Sequence, residues 1–352
     1  MDFTTKITIP PLPEACQLSY KTPVMSMGSC FAAHLQEKFG YHKLPFFSHP
    51  FGTLFHPLAI ERSLERVCKG QAFTEADFFL QDDLWLSFEL HSQWANPSLP
   101  ALLAQLNQQM ASLQEALSRT SLIVITLGTA WVYEHLDTGN IVANCHKQPQ
   151  KIFRKKLLSL DEIKASLEHI VALVREKQPD MKVLFTVSPV RHLKDGAMEN
   201  QLSKSLLLCA IHELLGTGSP KKGDNLFYFP SYELLMDELR DYRFYKEDML
   251  HPTEQAVQYV WERFTETCFT SEAQALMQEV ASIQRALAHR PFNPEGEKHQ
   301  QFLSKLQERI KAVEAKISNQ WLITNILAHF LRSYWSKNIY SSLFLYFLPE
   351  KK

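Results

Sequence analysis

Cysteine, glycine and net charge are all sparse in this chain of 352 residues, which has six Cys, 11 Gly and a formal charge of -1 from 37 Lys+Arg against 38 Asp+Glu. The cysteines, at positions 16, 30, 68, 145, 209 and 268, never approach Cys-x-x-Cys spacing. Zinc knuckles and dithiol redox motifs are therefore excluded, and a chain this long needs no disulfide framework. Few glycines beside 18 prolines rule out fibrous and low-complexity architectures. Balanced charge supplies no basic field, so no nucleic-acid partner is expected. Nowhere do 18 apolar residues run together, so no membrane span is expected. The opening MDFTTKITIPPLPEACQ lacks the apolar segment of a secretory signal, and a reduced, cytoplasmic setting follows as the expectation. Gly-rich phosphate cradles are missing too, so no nucleotide cofactor is expected. His42, His49 and His56 recur seven apart, but Pro45, Pro50 and Pro57 deny them a common helical face, so no metal site is expected.

What the chain does contain is alternation of strand-like and helix-like segments. Ser121–Leu127 (SLIVITL) and Met181–Val187 (MKVLFTV) are continuous apolar runs of the kind buried on both faces of a parallel sheet. Shorter strand signals lie at Pro23–Ser29 and Asn225–Phe229. Helical spacing is read over Phe31–Phe39, Ser159–Gln178, Asn200–Leu215 and Thr253–Cys268. The second of these opens on a capping box, Ser159-Leu-Asp-Glu162. Such alternation predicts a parallel sheet with helices on both faces and chemistry in the loops at the strands' carboxyl ends. Beyond residue 270 the pattern changes. Leu276, Val280, Ile283 and Leu287, then Leu303, Leu306, Ile310, Val313 and Ile317, predict two antiparallel helices around the breaker Pro291-Phe-Asn-Pro-Glu-Gly296. Three segments are expected: an α/β domain over 1–270, a helical hairpin over 271–320 and an aromatic tail over 321–352. With few basic residues, Trp321–Leu348 suits docking or self-association through 271–352 better than a membrane surface.

Two motifs carry chemistry. Met27-Gly28-Ser29-Cys30-Phe31 lies at a strand-to-helix turn, where free N–H groups and the helix dipole favour a thiolate and a developing oxyanion. The same residues also suit a tight turn chosen for backbone reasons alone. Asp248-Met-Leu-His251-Pro252 precedes the last helix of the α/β region. There His251 could serve as general base with Asp248 orienting it, or Asp248 could simply cap the helix.

A nucleophile after the first strand and an Asp-x-x-His before the last helix resemble the layout of the SGNH (GDSL-type) hydrolases. At family level Gly28-Ser29-Cys30-Phe31-Ala32 reads as the motif of the GSCFA family. Pro50–Leu54, Asn144–Pro149, Ser188–His192, Asp195-Gly196, Asp237–His251 and Arg290–Pro294 are similar to its bacterial members. The resemblance implies a three-layer, flavodoxin-like α/β fold and an ester-handling site. It places Cys30 at the nucleophile position, with a one-residue shift to Ser29 as the rival. The wider superfamily's oxyanion-binding Asn is absent from Gly128-Thr129-Ala130-Trp131, so Gly52, Thr129 and Asn144 are the candidates to replace it. Asn144-Cys145-His146 is read as an active-site wall, bringing His146 toward substrate. Three functions remain open: an esterase or thioesterase acting on a small-molecule or glycan ester, an acyltransferase drawing on acyl-CoA as co-substrate, and a non-catalytic scaffold.

Overall fold

The computed structural model describes residues 6–216, 225–289 and 291–317. The tail singled out at Trp321–Leu348 lies outside them. The described residues form two compact units, one from 6–17, 22–38 and those within 46–269, the other from 18–21, 39–45 and those within 270–317.

The first unit opens with β1 (Val24–Gly28), α1 (Cys30–Tyr41, whose last turn belongs to the second unit), β2 (Phe46–Ser48) and α2 (Pro57–Lys69). A hairpin follows, β3 (Phe79–Gln81) and β4 (Leu84–Leu86), then α3 (Leu99–Arg119) and β5 (Leu122–Leu127). Next come β6 (Trp131–His135), β7 (Ile141–Val142), β8 (Phe153–Leu157), α4 (Leu160–Lys177) and β9 (Lys182–Val187). The unit closes with α5 (Ala197–Leu215), β10 (Leu226–Tyr228), the single turn α6 (Ser231–Glu233) and α7 (Glu254–Cys268). The main sheet runs β2-β1-β5-β9-β10 with every neighbouring pair parallel, the flavodoxin-like order.

Burial on both faces of the central strands explains their unbroken apolar sequence. Met25, Met27, Ile123, Ile125, Val183 and Phe185 point into one cluster with Ile60, Leu64, Leu106, Met110, Ile170 and Leu207 of α2 to α5. The alternate residues Val24, Leu122, Val124 and Leu184 are just as buried yet stand outside that cluster, so a second layer covers them. Phe31 and Leu35 of α1 and Val260 and Phe264 of α7 are buried and equally outside it. Lys38 of α1 donates to Gln258 of α7 at 2.6 Å, which ties these two helices together.

Local signals behave as their chemistry dictates. Ser159 accepts from the Glu162 N–H while Glu162 accepts from the Ser159 N–H, closing the capping box of α4. Helix α3 was not read from sequence, because its glutamine-rich stretch dilutes the pattern. Its signals are nonetheless present: Ser98 caps it, and Leu102, Leu106, Met110, Leu113 and Leu117 are buried at helical spacing. Outside the main sheet, β7-β6-β8 form an antiparallel three-stranded sheet.

In the second unit, α8 (Ser271–Ala288) and α9 (Glu297–Lys316) pair antiparallel. Arg309 donates to Ser282, and Lys316 meets Glu279 at 2.7 Å, fixing the register. Val280, Ile283, Leu306, Val313 and Ile317 of the expected seam are buried. No helix among the described residues is long and apolar enough to cross a membrane.

Candidate active site

The carboxyl ends of β1 and β5 form the floor of the site. Gly28 ends β1 at φ +122°, and a Cβ there would lie 2.1 Å from the Thr126 carbonyl oxygen. No L side chain fits that contact without moving β5. Gly28→Ala is therefore expected to cost about 3 kcal/mol or more in urea unfolding. A loss under about 1 kcal/mol would show that this corner is not held as drawn.

The Ser29 N–H donates to Thr126 O at 2.9 Å, and the Ser29 hydroxyl is buried with no hydrogen-bond partner among the described residues. Cys30, the first residue of α1, is only half-buried. Of the two rival nucleophiles, Ser29 is the buried residue and Cys30 the partly exposed one. Burial pushes the Cys30 thiol up, while its own backbone N–H and the Lys204 ammonium pull it down.

A loop after β2 stitches the strand ends together. Leu54 N–H donates to Gly28 O at 2.9 Å, and Phe55 O accepts from both Gly128 N–H at 2.8 Å and Thr129 N–H at 2.9 Å. Gly52 turns this loop at φ +90°, where a Cβ would meet the His91 Cβ at 2.3 Å. Thr129 is buried, its hydroxyl paired with Ser203 at 3.1 Å and accepting from the Trp131 N–H. Its backbone and side chain are thus both engaged within the protein, against the expectation of a free oxyanion donor.

Asn144 and His146 do come together, in a self-satisfied cluster. Asn144 donates to Ser92 Oγ at 3.2 Å and accepts from the His146 N–H, and the His146 ring donates from Nε2 to Ser87 O at 2.7 Å. His146 is buried and its pKa is lowered, chiefly by desolvation. These bonds hold the loop to residues 87–92 and leave the His146 ring no unpaired nitrogen directed at substrate.

Asp248 and His251 sit on one tight turn whose Met249 adopts φ +58°. Asp248 Oδ1 accepts from the Leu250 and His251 N–H groups, both at 2.9 Å, and Oδ2 takes the His251 Nδ1–H at 2.6 Å. Those backbone donors, the His251 N–H foremost, hold the carboxyl well below the usual range. With Nδ1 occupied, Nε2 is the nitrogen left to exchange a proton. Burial is the main cause that lowers the pKa of His34, one helical turn beyond Cys30, and of His192.

Sequence reasoning missed two further residues. Lys204 on α5 is fully buried, donating to Gly128 O at 2.6 Å and Ser188 O at 2.8 Å, so it clamps the ends of β5 and β9. Burial pulls its pKa down to about 7, with Cys30 acting the other way. Its signal was a lysine on the apolar stripe Ser203, Lys204, Leu207, Ala210, Ile211. His192, in the loop after β9, places its Nε2 3.3 Å from the Cβ position of Gly128. Among the described residues no group of His, Cys, Asp and Glu gathers as metal ligands. His42, His49 and His56 each bind a different partner, respectively Met277 O, Ser63 Oγ and Val142 O.

The model of the GSCFA family matches residues 23–264, and that of the GSCFA domain protein, C-terminal domain, matches 280–325. No curated protein matches the chain. Among solved structures, a carbohydrate esterase family 3 protein from Talaromyces cellulolyticus is 11% identical, covering 74% of this chain and 99% of that one at a TM-score of 0.33. An acetyl xylan esterase from the rumen bacterium Butyrivibrio proteoclasticus is 10% identical, covering 71% and 64% at a TM-score of 0.37.

Proposed function

This chain belongs to the GSCFA family, and from that premise and the geometry of its site we propose that it cleaves an ester or thioester through Cys30 as nucleophile and His251 as general base. The observation that carries the reading is the Asp248–His251 hydrogen bond of 2.6 Å, which occupies Nδ1 and leaves His251 Nε2 as the nitrogen that can take a proton. In the first half-reaction His251 Nε2 takes the thiol proton, and sulfur attacks the acyl carbonyl. A C–S bond forms and the carbonyl π pair moves to oxygen. When that pair returns, the bond to the leaving group breaks, and the departing alkoxide or thiolate takes the proton from His251. In the second half, water loses a proton to His251 and attacks the thioester. The C–S bond then breaks, the thiolate recovers the proton and the free acid leaves.

Intact-mass measurement after incubation with p-nitrophenyl acetate or acetyl-CoA tests this directly. An acetyl adduct is expected on the wild type and on Ser29→Ala, and none on Cys30→Ala. An adduct that persists in Cys30→Ala and vanishes in Ser29→Ala moves the nucleophile to Ser29. No adduct with either donor overturns the enzyme reading in favour of a scaffold. Adding a sugar acceptor to the same incubation separates hydrolysis from acyl transfer, since only transfer gives an acetylated sugar.

A further inference from the structure

An acyl carbonyl attacked by Cys30 needs hydrogen-bond donors where its oxygen becomes negative, and the turn after β5 offers none to spare. Both Gly128 N–H and Thr129 N–H are spent on Phe55 O, and the Thr129 hydroxyl is engaged by Ser203 and Trp131. The Asn144 amide is bound to Ser92. At the corner shared by β1 and β5 there stands instead an imidazole. A Cβ on Gly128 would touch Ser29 Cβ at 3.2 Å and His192 Nε2 at 3.3 Å, so this nitrogen borders the same point as the residue preceding the nucleophile. The ring is positioned from two sides. His192 N–H donates to Oδ1 of the buried Asn200 at 2.9 Å, and the ring stands edge-on to Phe55 at 5.4 Å and 84°. Neither ring nitrogen has a hydrogen-bond partner among the described residues.

We propose that His192 Nε2–H donates to the carbonyl oxygen as it gains charge in the attack by Cys30, filling the role that an asparagine after β5 would otherwise serve; the proposal rests on the acyl-enzyme reading above. Burial foremost, and the Lys204 charge beside it, hold the ring to a pKa of about 4, so at neutral pH it is a dipolar donor and not a cation. A second base is a poorer account of the same ring. Its carboxylate neighbour Asp195 is committed to Lys155 at 2.5 Å, so nothing orients His192 as Asp248 orients His251. The arrangement is preorganised, because backbone and ring are fixed before substrate arrives.

The test compares esterolysis with an alkylation that builds no oxyanion. With p-nitrophenyl acetate, His192→Phe is expected to lower kcat about 10²- to 10³-fold with KM within about threefold. Alkylation of Cys30 by iodoacetamide should stay within about twofold of wild type, because no carbonyl oxygen gains charge in that displacement. His192→Gln, which restores an N–H donor, should recover about tenfold or more of the loss. Should His192→Phe fail to fold by circular dichroism, His192→Ala carries the same thresholds. An unchanged kcat in a folded His192 variant, alongside an inactive Cys30→Ala, overturns the His192 assignment and leaves the nucleophile standing. Esterolysis and alkylation falling together also overturn it, since that pattern belongs to thiol activation or local structure. Neither adduct nor turnover in wild type overturns both readings at once.

Discussion

Lowering the pH from 7 to 4 is expected to remove about 6 kcal/mol of unfolding free energy through two buried histidines alone. His56 is the clearer of them. Its Nδ1 accepts the Ala59 N–H at 3.1 Å, capping α2, while its Nε2 donates to Val142 O at 3.1 Å. Both nitrogens are therefore assigned, and the ring can take a second proton only by giving up the cap. His49, also buried, binds Ser63 Oγ at 2.8 Å. Burial holds each of them to a pKa of about 4, against 6.5 in the unfolded chain. The unfolded state therefore binds more protons between those values. Stability is fully present above pH 6.5 and is lost as pH falls toward 4, by about 3 kcal/mol per ring. That is a large part of the 5 to 15 kcal/mol or so typical of a folded protein. Urea titrations at pH 7, 5.5 and 4.5 measure the slope. His56→Asn keeps a capping side chain without the titration and should spare about 3 kcal/mol of the loss between pH 7 and 4. A variant with the wild-type slope would show that other groups govern acid unfolding.

The second large effect is on turnover. Asp248→Asn is expected to reduce kcat about 10³- to 10⁴-fold while leaving the melting temperature close to wild type. The reason lies in which oxygen does what. Oδ1, which accepts the Leu250 and His251 N–H groups, is retained by the amide and keeps the turn built. Oδ2, which accepts the His251 Nδ1–H, is replaced by an NH2 group. The ring must then present an unprotonated Nδ1 to the amide and carry its proton on Nε2, where it can no longer take one from Cys30. Because burial pushes the Cys30 thiol up, a preformed thiolate cannot substitute for the base. His251→Ala should therefore lose a similar factor, and the double variant little more, as expected of residues acting as one unit. Losses below about tenfold in both single variants would sink the assignment of His251 as base. The backbone donors hold the Asp248 carboxyl well below the usual carboxylate range, so another group is expected to set the acid limb of the activity profile.

How much of this could be read without coordinates depended on the range of the interactions involved. Strand β5 announced itself because six consecutive buried positions demand six apolar residues. The capping box of α4 and the Asp248–His251 turn were legible because each closes within three residues of chain. The β6–β8 sheet and the helix α3 escaped, one because its strands are polar and short, the other because the glutamines between its buried positions dilute the apolar pattern. At the site, residue type alone suggested Thr129 and Asn144 as donors to an oxyanion. Their engagement by Ser203 and Ser92 arises from segments 74 and 52 residues distant, which no spacing rule reports.

The six cysteines likewise divide only in three dimensions. Cys16, Cys68 and Cys268 are buried, Cys209 is exposed, and Cys30 and Cys145 are half-buried. By itself the amino-acid sequence determined four of the main sheet's five strands, all but β2, together with the glycine corner and the paired Asp248 and His251, since these follow from local periodicity and short-range chemistry. Tertiary structure alone decided that Ser29 is buried while Cys30 is only half-buried, and that Lys204 and His192 belong to the same corner. Those are consequences of β5 and β9 ending side by side, which brings α5 and the loop after β9 to a strand end more than 60 residues away in the chain.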